Sequence, residues 1–414
     1  MIMRRALTLA AERMVDEPVV LLEGPRTVGK STLLRALAAA HGGVVIDLDD
    51  PATLDAAAAD PATFMAGVAP VFVDEYQRAP VLLDAIKAEL NRDGSPGRFV
   101  LTGSTSYEAL PQRAQALTGR LHRVTVYPLS QGEIGGVHEH LIADLFTDAE
   151  AAVAGPLSVT TRADYIDKIV TGGFPMALSR ATEVTRNRWF DDYIRLTLER
   201  DVAELRHIRS GTILPRLFEH LAGQTAQLLN MAKIATEVGL DVRTTDSYVR
   251  LLEAVFLVQR LPAWGTTLRA RATARPKLHV IDSGVAARML RLTPNKLARL
   301  DPSSMSELGH LLETFVVGEV MRQASWLDGV ATVGHWRTRD DDEVDVVVER
   351  DDGAIVAIEV KTAARVPGSE FKGLRKLRDA YGGGFLAGVA MYLGERSYTF
   401  EDRLHVMPIA RLWS

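Results

Sequence analysis

The chain contains no cysteine. That excludes disulfides and cysteine-ligated metals from both its stability and its chemistry. It also lacks any apolar run long enough to span a bilayer. Met1-Ile2-Met3-Arg4-Arg5-Ala6 has none of the apolar core of a secretory signal, so a cytoplasmic protein with no membrane partner is expected. A strong charge of either sign is missing as well. A net charge of −5 over 414 residues excludes a surface coated everywhere for nucleic acid and leaves room for local basic patches. The hydrophobic (47%) and charged (24%) fractions are those of ordinary globular domains, and the length calls for roughly two to four of them.

Against these absences stands one dense motif. Gly24-Pro25-Arg26-Thr27-Val28-Gly29-Lys30-Ser31, followed by Thr32, fits G-x-x-x-x-G-K-[ST], a phosphate-binding loop. The apolar run Val19–Leu22 reads as the strand before it, and Thr32–Ala40 as the helix after it. Such a loop aims backbone N–H groups and a helix N-terminus at phosphates. Lys30 is then expected on the β- and γ-phosphates and Ser31 on Mg²⁺.

The next strands complete the expectation. Gly43–Leu48 reads as a second strand, and Ala69–Val73 as a third ending in Asp74-Glu75. Asp74 would serve the metal, and Glu75 would orient or deprotonate the attacking water. Arg98–Ser104 is a fourth strand ending in Thr102 and Ser104, with Ser104 the preferred γ-phosphate or water contact. Leu117-Thr118-Gly119-Arg120 precedes a fifth strand, Leu121–Val126, and Arg120 is a candidate for neutralising phosphoryl charge from its own chain or from a neighbour in an oligomer. Gln77, three after Asp74, is not the glycine of a D-x-x-G motif, and no N-K-x-D appears, so ATP is favoured over GTP. Alternating strands and helices imply a parallel sheet.

The middle reads as helical. Gly135–Thr161 has no strong period and is taken as a connection, partly helical. A helix begins at Tyr165, Gly172-Gly173-Phe174-Pro175 interrupts, and Arg186–Arg209 forms a long amphipathic helix through Trp189, Tyr193 and Leu205. Arg195 and Arg200 are read mainly as a solvated, salt-bridged face. Three helices, 214–221, 231–238 and 244–253, with Thr245 or Asp246 as cap of the third, make a helix-turn-helix pattern. The strand 256–261 would supply a wing. The turn 265–277, with Arg269, Arg271 and Arg275, is basic enough to touch phosphate.

In the last third, Glu343–Val348 and Ala354–Lys361 flank an Asp351-Asp352-Gly353 turn and read as a hairpin. Glu359 and Lys361 share one strand face, with Asp345 on the partner strand and Glu313 on an upstream helix. This D…E-x-K set is that of restriction-endonuclease-like folds, where the acids bind Mg²⁺ and lysine stabilises charge. Lys372, Arg375 and Lys376 lie on a basic helix after it.

Taken together, these motifs resemble the prokaryotic AAA-type ATP-binding proteins that carry a C-terminal domain of unknown function with a restriction-endonuclease-like fold. The resemblance rests on the phosphate loop, Val73–Gln77, Leu101–Ser104, Leu117–Arg120, Pro128–Ser130, Gly172–Pro175, Arg200-Asp201, Lys277–Asp282, Glu313, Glu343–Asp345 and Glu359–Lys361. It implies an α/β multidomain chain: a P-loop ATPase core (1–134), a linker and helical part (135–209), a winged helix (210–276) and a nuclease-like α/β domain (277–414). It further implies ATP and Mg²⁺ as cofactors. Three roles follow as expectations: an ATPase controlling its C-terminal domain, an ATP-coupled nuclease on DNA or RNA, or a nucleotide-switched regulator or scaffold that binds DNA or a protein partner.

Overall fold

The computed structural model describes residues 2–109, 117–202, 213–267, 271 and 274–414. Near the N-terminus, β1 (Val19–Glu23), β2 (Val44–Asp47), β3 (Val71–Asp74), β4 (Phe99–Gly103) and β5 (Leu121–Thr125) form one parallel sheet in the order β2-β3-β4-β1-β5. β1, β3 and β4 are buried along their whole length, as apolar strands covered on both faces must be. Their alternate residues serve two cores. Val20, Leu22 and Val100 pack with Leu33, Leu34 and Leu37 of the loop helix Lys30–His41. Val19, Leu21 and Leu101 pack with Leu82, Leu83 and Ile86 of the helix Leu82–Arg92. The order inserts β4 between the phosphate-loop strand β1 and the acid-bearing strand β3, so the ends of all three meet at one edge.

The stretch read as a connection holds two short helices, Leu141–Thr147 and Ala149–Val153. The helix Arg162–Thr171 opens on a reciprocal Thr161–Asp164 capping box. The long helix starts earlier than its apolar period suggested, at Glu183, because Thr182 caps it. It passes into a π-helical turn at Thr197–Asp201, and its expected continuation through Leu205 to Arg209 lies outside the described residues.

Three helices follow, Ile213–Gly223, Met231–Val238 and Val242–Ala254. β6 (Gln227–Leu228), β7 (Val258–Leu261) and β8 (Lys277–Val280) form an antiparallel sheet, β6-β8-β7. Asp241 caps the third of these helices through the Thr244 N–H at 2.9 Å. Neither Thr245 nor Asp246 does so. The Thr245 hydroxyl turns inward to the Asp241 carbonyl, and Asp246 pairs with Arg250 and Arg260.

The last part is a central helix (Pro302–Ser325), an antiparallel run β9 (Val330–Arg337), β10 (Glu343–Arg350), β11 (Ile355–Lys361), a crossover helix (Lys372–Tyr381), and β12 (Phe385–Tyr392) parallel to β11. β13 (Tyr398–Glu401) and β14 (Leu404–Pro408) complete the order β13-β14-β12-β11-β10-β9. The turn between β10 and β11 is the expected one, and Gly353 takes φ +84° there, a conformation that favours glycine.

The central helix also grips the segment that follows β5. Arg322 Nε donates to the Pro128 carbonyl at 2.7 Å, the Gln131 N–H donates to Glu319 at 3.0 Å, and the Ile142 N–H donates to Gln323 at 3.2 Å. Gly173 is wedged nearby. Its N–H donates to Asp282 at 2.7 Å and its carbonyl accepts from Leu129 at 2.8 Å. A Cβ there would lie 2.3 Å from the Leu129 oxygen, which explains glycine at this position.

Glu319 is fully buried, and desolvation, against the pull of Arg322, raises its carboxyl to about 8 from 4.5. The native state therefore holds a proton that the unfolded chain has released between those values, and stability falls as pH rises through that window. We predict a lower melting temperature near pH 8.5 than near pH 6, measured by calorimetry. Glu319→Gln, which mimics the protonated carboxyl, should flatten the slope. An unchanged slope in Glu319→Gln would show that Glu319 is ionised across the range.

Candidate functional sites

At the carboxyl edge of the first sheet, Gly24 turns the chain at φ +156°, where a Cβ would stand 2.3 Å from the Val126 oxygen. Gly29, at φ +102°, starts the loop helix. Thr27 also takes a left-handed conformation, φ +62°. Pro25 and Val28 are buried in the loop and Arg26 is half-buried. Arg4 steadies the loop from behind, donating to the carbonyls of Val28 (3.0 Å) and Tyr127 (2.6 Å). Lys30 folds over the loop, its ammonium donating to the Gly24 and Pro25 carbonyls at 2.9 and 2.8 Å. Ser31 and Thr32 follow on the first helical turn.

Ser31 Oγ donates to Asp74 Oδ1 at 3.1 Å, and Thr102 Oγ1 donates to the same oxygen. Burial pushes the Asp74 carboxyl up, while the hydroxyls of Thr102 and Ser31 pull it back. Two hard oxygen donors thus adjoin beside the loop, which fits Mg²⁺ completed by water and phosphate. Glu75 takes φ +55°, and its N–H donates to Thr102 Oγ1 at 3.0 Å. Its carboxylate accepts from Ser104 Oγ at 2.9 Å and from the Gln77 amide, which also donates to Ser104 at 3.0 Å. Asp74, Glu75, Thr102 and Ser104 are therefore one hydrogen-bonded group with Ser31.

Arg120 is elsewhere. It precedes β5, whose first residue Leu121 is level with Val19, the first of β1. The loop leaves the other end of β1, about 13 Å of strand away, and the Arg120 guanidinium donates to Asn91 at 2.8 Å. Strand direction thus sets Arg120 away from the phosphate loop of its own chain. Arg195, on the helix face read as salt-bridged, pairs with Asp192 at 2.8 Å.

The second group surrounds a cavity of about 440 Å³ between the central helix and β10–β11. Glu313, Asp345, Glu359 and Lys361 all line it, together with Glu343 and Glu370. Lys361 Nζ meets Glu359 at 3.0 Å and Glu370 at 2.6 Å. The Val360 N–H donates to Asp345 at 2.9 Å. Lys277, from β8, donates to Glu313 at 2.6 Å and Asp345 at 2.9 Å. Desolvation, reinforced by Asp345, raises the Glu313 carboxyl well above its usual range, and the same causes lift Glu359 to about 8. In this arrangement the Lys277 ammonium stands between Glu313 and Asp345 and takes oxygens that the expected Mg²⁺ would need.

The basic surfaces are largely paired. Lys372 and Lys376 reach Asp342 at 2.6 and 2.7 Å, Arg375 holds Glu401, and Arg271 holds Glu349 at 2.8 Å. Arg269 lies outside the described residues.

Residues 16–135 match the family model of the AAA domain. Residues 162–296 and 308–412 match two families described only as domains of unknown function (DUF8612 and DUF4143). The chain is 27% identical over 409 residues to Uncharacterized protein Rv2008c of Mycobacterium tuberculosis and to Uncharacterized protein Mb2031c of Mycobacterium bovis, covering 98% of this chain and 82% of each relative. Among solved structures it resembles the Walker-type ATPase PABY2304 of Pyrococcus abyssi (TM-score 0.45, 17% identity, 70% of this chain and 96% of that one). It is more distantly similar to AMPPCP-bound DnaA of Aquifex aeolicus (TM-score 0.29, 14% identity, 60% and 86%).

At the edge of the first sheet the loop, Asp74, Glu75 and the polar strand end Thr102–Ser104 lie together. No described helix is long and apolar enough to cross a membrane. Sequence reasoning missed Arg4 behind the loop, Gln77 on Glu75, and Lys277. A buried-strand context around Lys277, in Lys277-Leu278-His279-Val280, is the one signal that pointed to the last of these.

Proposed function

We propose that this protein is a Mg²⁺-dependent ATPase whose nucleotide cycle controls its C-terminal acidic pocket. The observation that carries this is the contiguous group of Ser31, Asp74, Thr102, Glu75 and Ser104 beside a phosphate loop. Lys30 and the loop amides take the phosphates. Ser31 and Asp74 hold Mg²⁺, which when bound neutralises phosphate charge. Glu75 orients the water and accepts its proton, and Ser104 and Gln77 fix the Glu75 carboxylate. The divisions 1–134, 135–209, 210–276 and 277–414 remain our reading of the chain, with β8 pairing back into the middle sheet. Three helices with a small antiparallel sheet support a winged helix. The succession of helix, three antiparallel strands, crossover helix and parallel strand, with Asp345, Glu359 and Lys361 at its cavity, supports a restriction-endonuclease-like fold. The occupied carboxylates favour a nucleotide-switched regulator over a constitutive nuclease, with DNA, RNA or a protein as partner, in the cytoplasm.

Phosphate release from Mg-ATP, with and without single-stranded DNA, duplex DNA and RNA, tests this. Release that stops with EDTA is expected, and stimulation by nucleic acid would identify the partner class. No release above a Lys30→Ala background, under any of these conditions, would remove the ATPase reading.

A further inference from the structure

Lys277 belongs to the middle sheet through β8, yet its ammonium lies among acids of the C-terminal part at 2% exposure. A charge this deep persists only with paired, hydrogen-bonded partners, and Glu313 and Asp345 supply them at 2.6 and 2.9 Å. One comes from the central helix and the other from β10, so the cation is delivered across a junction between two sheets. The pocket is not fully satisfied by it. Among the described residues Glu359 Oε2 has no hydrogen-bond partner, although the residue is only 8% exposed and lines the cavity. Five carboxylates, Glu313, Glu343, Asp345, Glu359 and Glu370, face the cavity against Lys361 and Arg365.

We infer that Lys277 is a built-in cation that occupies the oxygens of Glu313 and Asp345 a divalent metal would need, and that metal enters only when β8 carries the lysine away. The inference rests on the nuclease-like reading of the C-terminal fold proposed above. β8 has a physical tie to the phosphate loop. Asp282, shortly after it, holds Gly173 at 2.7 Å, Gly173 holds Leu129 at 2.8 Å, and Leu129 follows β5, which pairs with β1. Continuity of this kind does not itself prove coupling, so the test addresses the lysine directly.

The full chain without nucleotide is titrated with Mn²⁺, and free Mn²⁺ is read by electron paramagnetic resonance. The parent, Lys277→Gln and Lys277→Met are each compared with and without Asp345→Asn. The parent should show no Mn²⁺ site that depends on Asp345. Removing the lysine charge should create one, at least about tenfold tighter than any weak binding there in the parent, and Asp345→Asn should abolish it. Identical binding in parent and variants, or an Asp345-dependent site already in the parent, overturns the inference. If Lys277→Met fails to fold, Lys277→Gln, which keeps hydrogen-bond donors, decides. Loss of fold in both marks an ion pair that is structural only and likewise overturns it. Mn²⁺ gained without cleavage of any nucleic acid would leave the lysine inference standing and remove the nuclease reading.

Discussion

Lys30→Ala should weaken ATP binding by at least about 100-fold, the equivalent of about 2.7 kcal/mol. Lys30 is the loop's only ammonium, and it donates inward to the Gly24 and Pro25 carbonyls, where bound phosphates would compete for it. Charge-assisted bonds of this kind are worth about 1.5–3 kcal/mol each, so losing one or two accounts for the whole effect. Removal also leaves the two carbonyls without that donor and loosens the loop, which adds to the loss. Isothermal titration with ATP-Mg²⁺ reads it, with a melting curve to show that the core remains folded. Binding within about threefold of the parent would mean that the loop amides alone hold the nucleotide and that Lys30 is structural.

Glu75→Gln should bind ATP normally and lower turnover about 100-fold or more, the range of a positioned general base. The substitution keeps the side chain's shape and one acceptor oxygen, so Ser104 Oγ at 2.9 Å retains its partner. What is lost is the charge that takes the proton from water. Thr102 separates the two acids' tasks. Its hydroxyl binds Asp74 while accepting the Glu75 N–H, so Asp74→Asn should damage metal dependence where Glu75→Gln does not. Turnover of Glu75→Gln at the parent rate would move the role to another group, Ser104 first.

How much of this was legible depended on distance along the chain. The phosphate loop, Asp74-Glu75 and Thr102–Ser104 announce themselves locally, because each is a strand end with distinctive polar residues. The β10–β11 hairpin did so too, through alternation and Asp351-Asp352-Gly353. Arg120 looked right by residue type, but a parallel strand that begins after it points it away from the loop. The pairing of Lys277 was illegible because its partners Glu313 and Asp345 lie 36 and 68 residues later. The Arg322–Pro128 clasp spans 194 residues, and no local pattern encodes it. The crossover helix showed its basic residues but not Asp342 and Glu401, which engage them.

The absence of cysteine makes the central claim directly measurable. Two cysteines placed at exposed Arg243, in the middle part, and Ser369, beside the C-terminal pocket, accept spin labels with no background. In the Glu75→Gln protein, pulsed-resonance distances between them should differ between nucleotide-free and ATP-Mg²⁺ states, and Lys30→Ala should abolish the difference. One unchanged distance distribution in every state would contradict the account that the nucleotide site controls the C-terminal pocket.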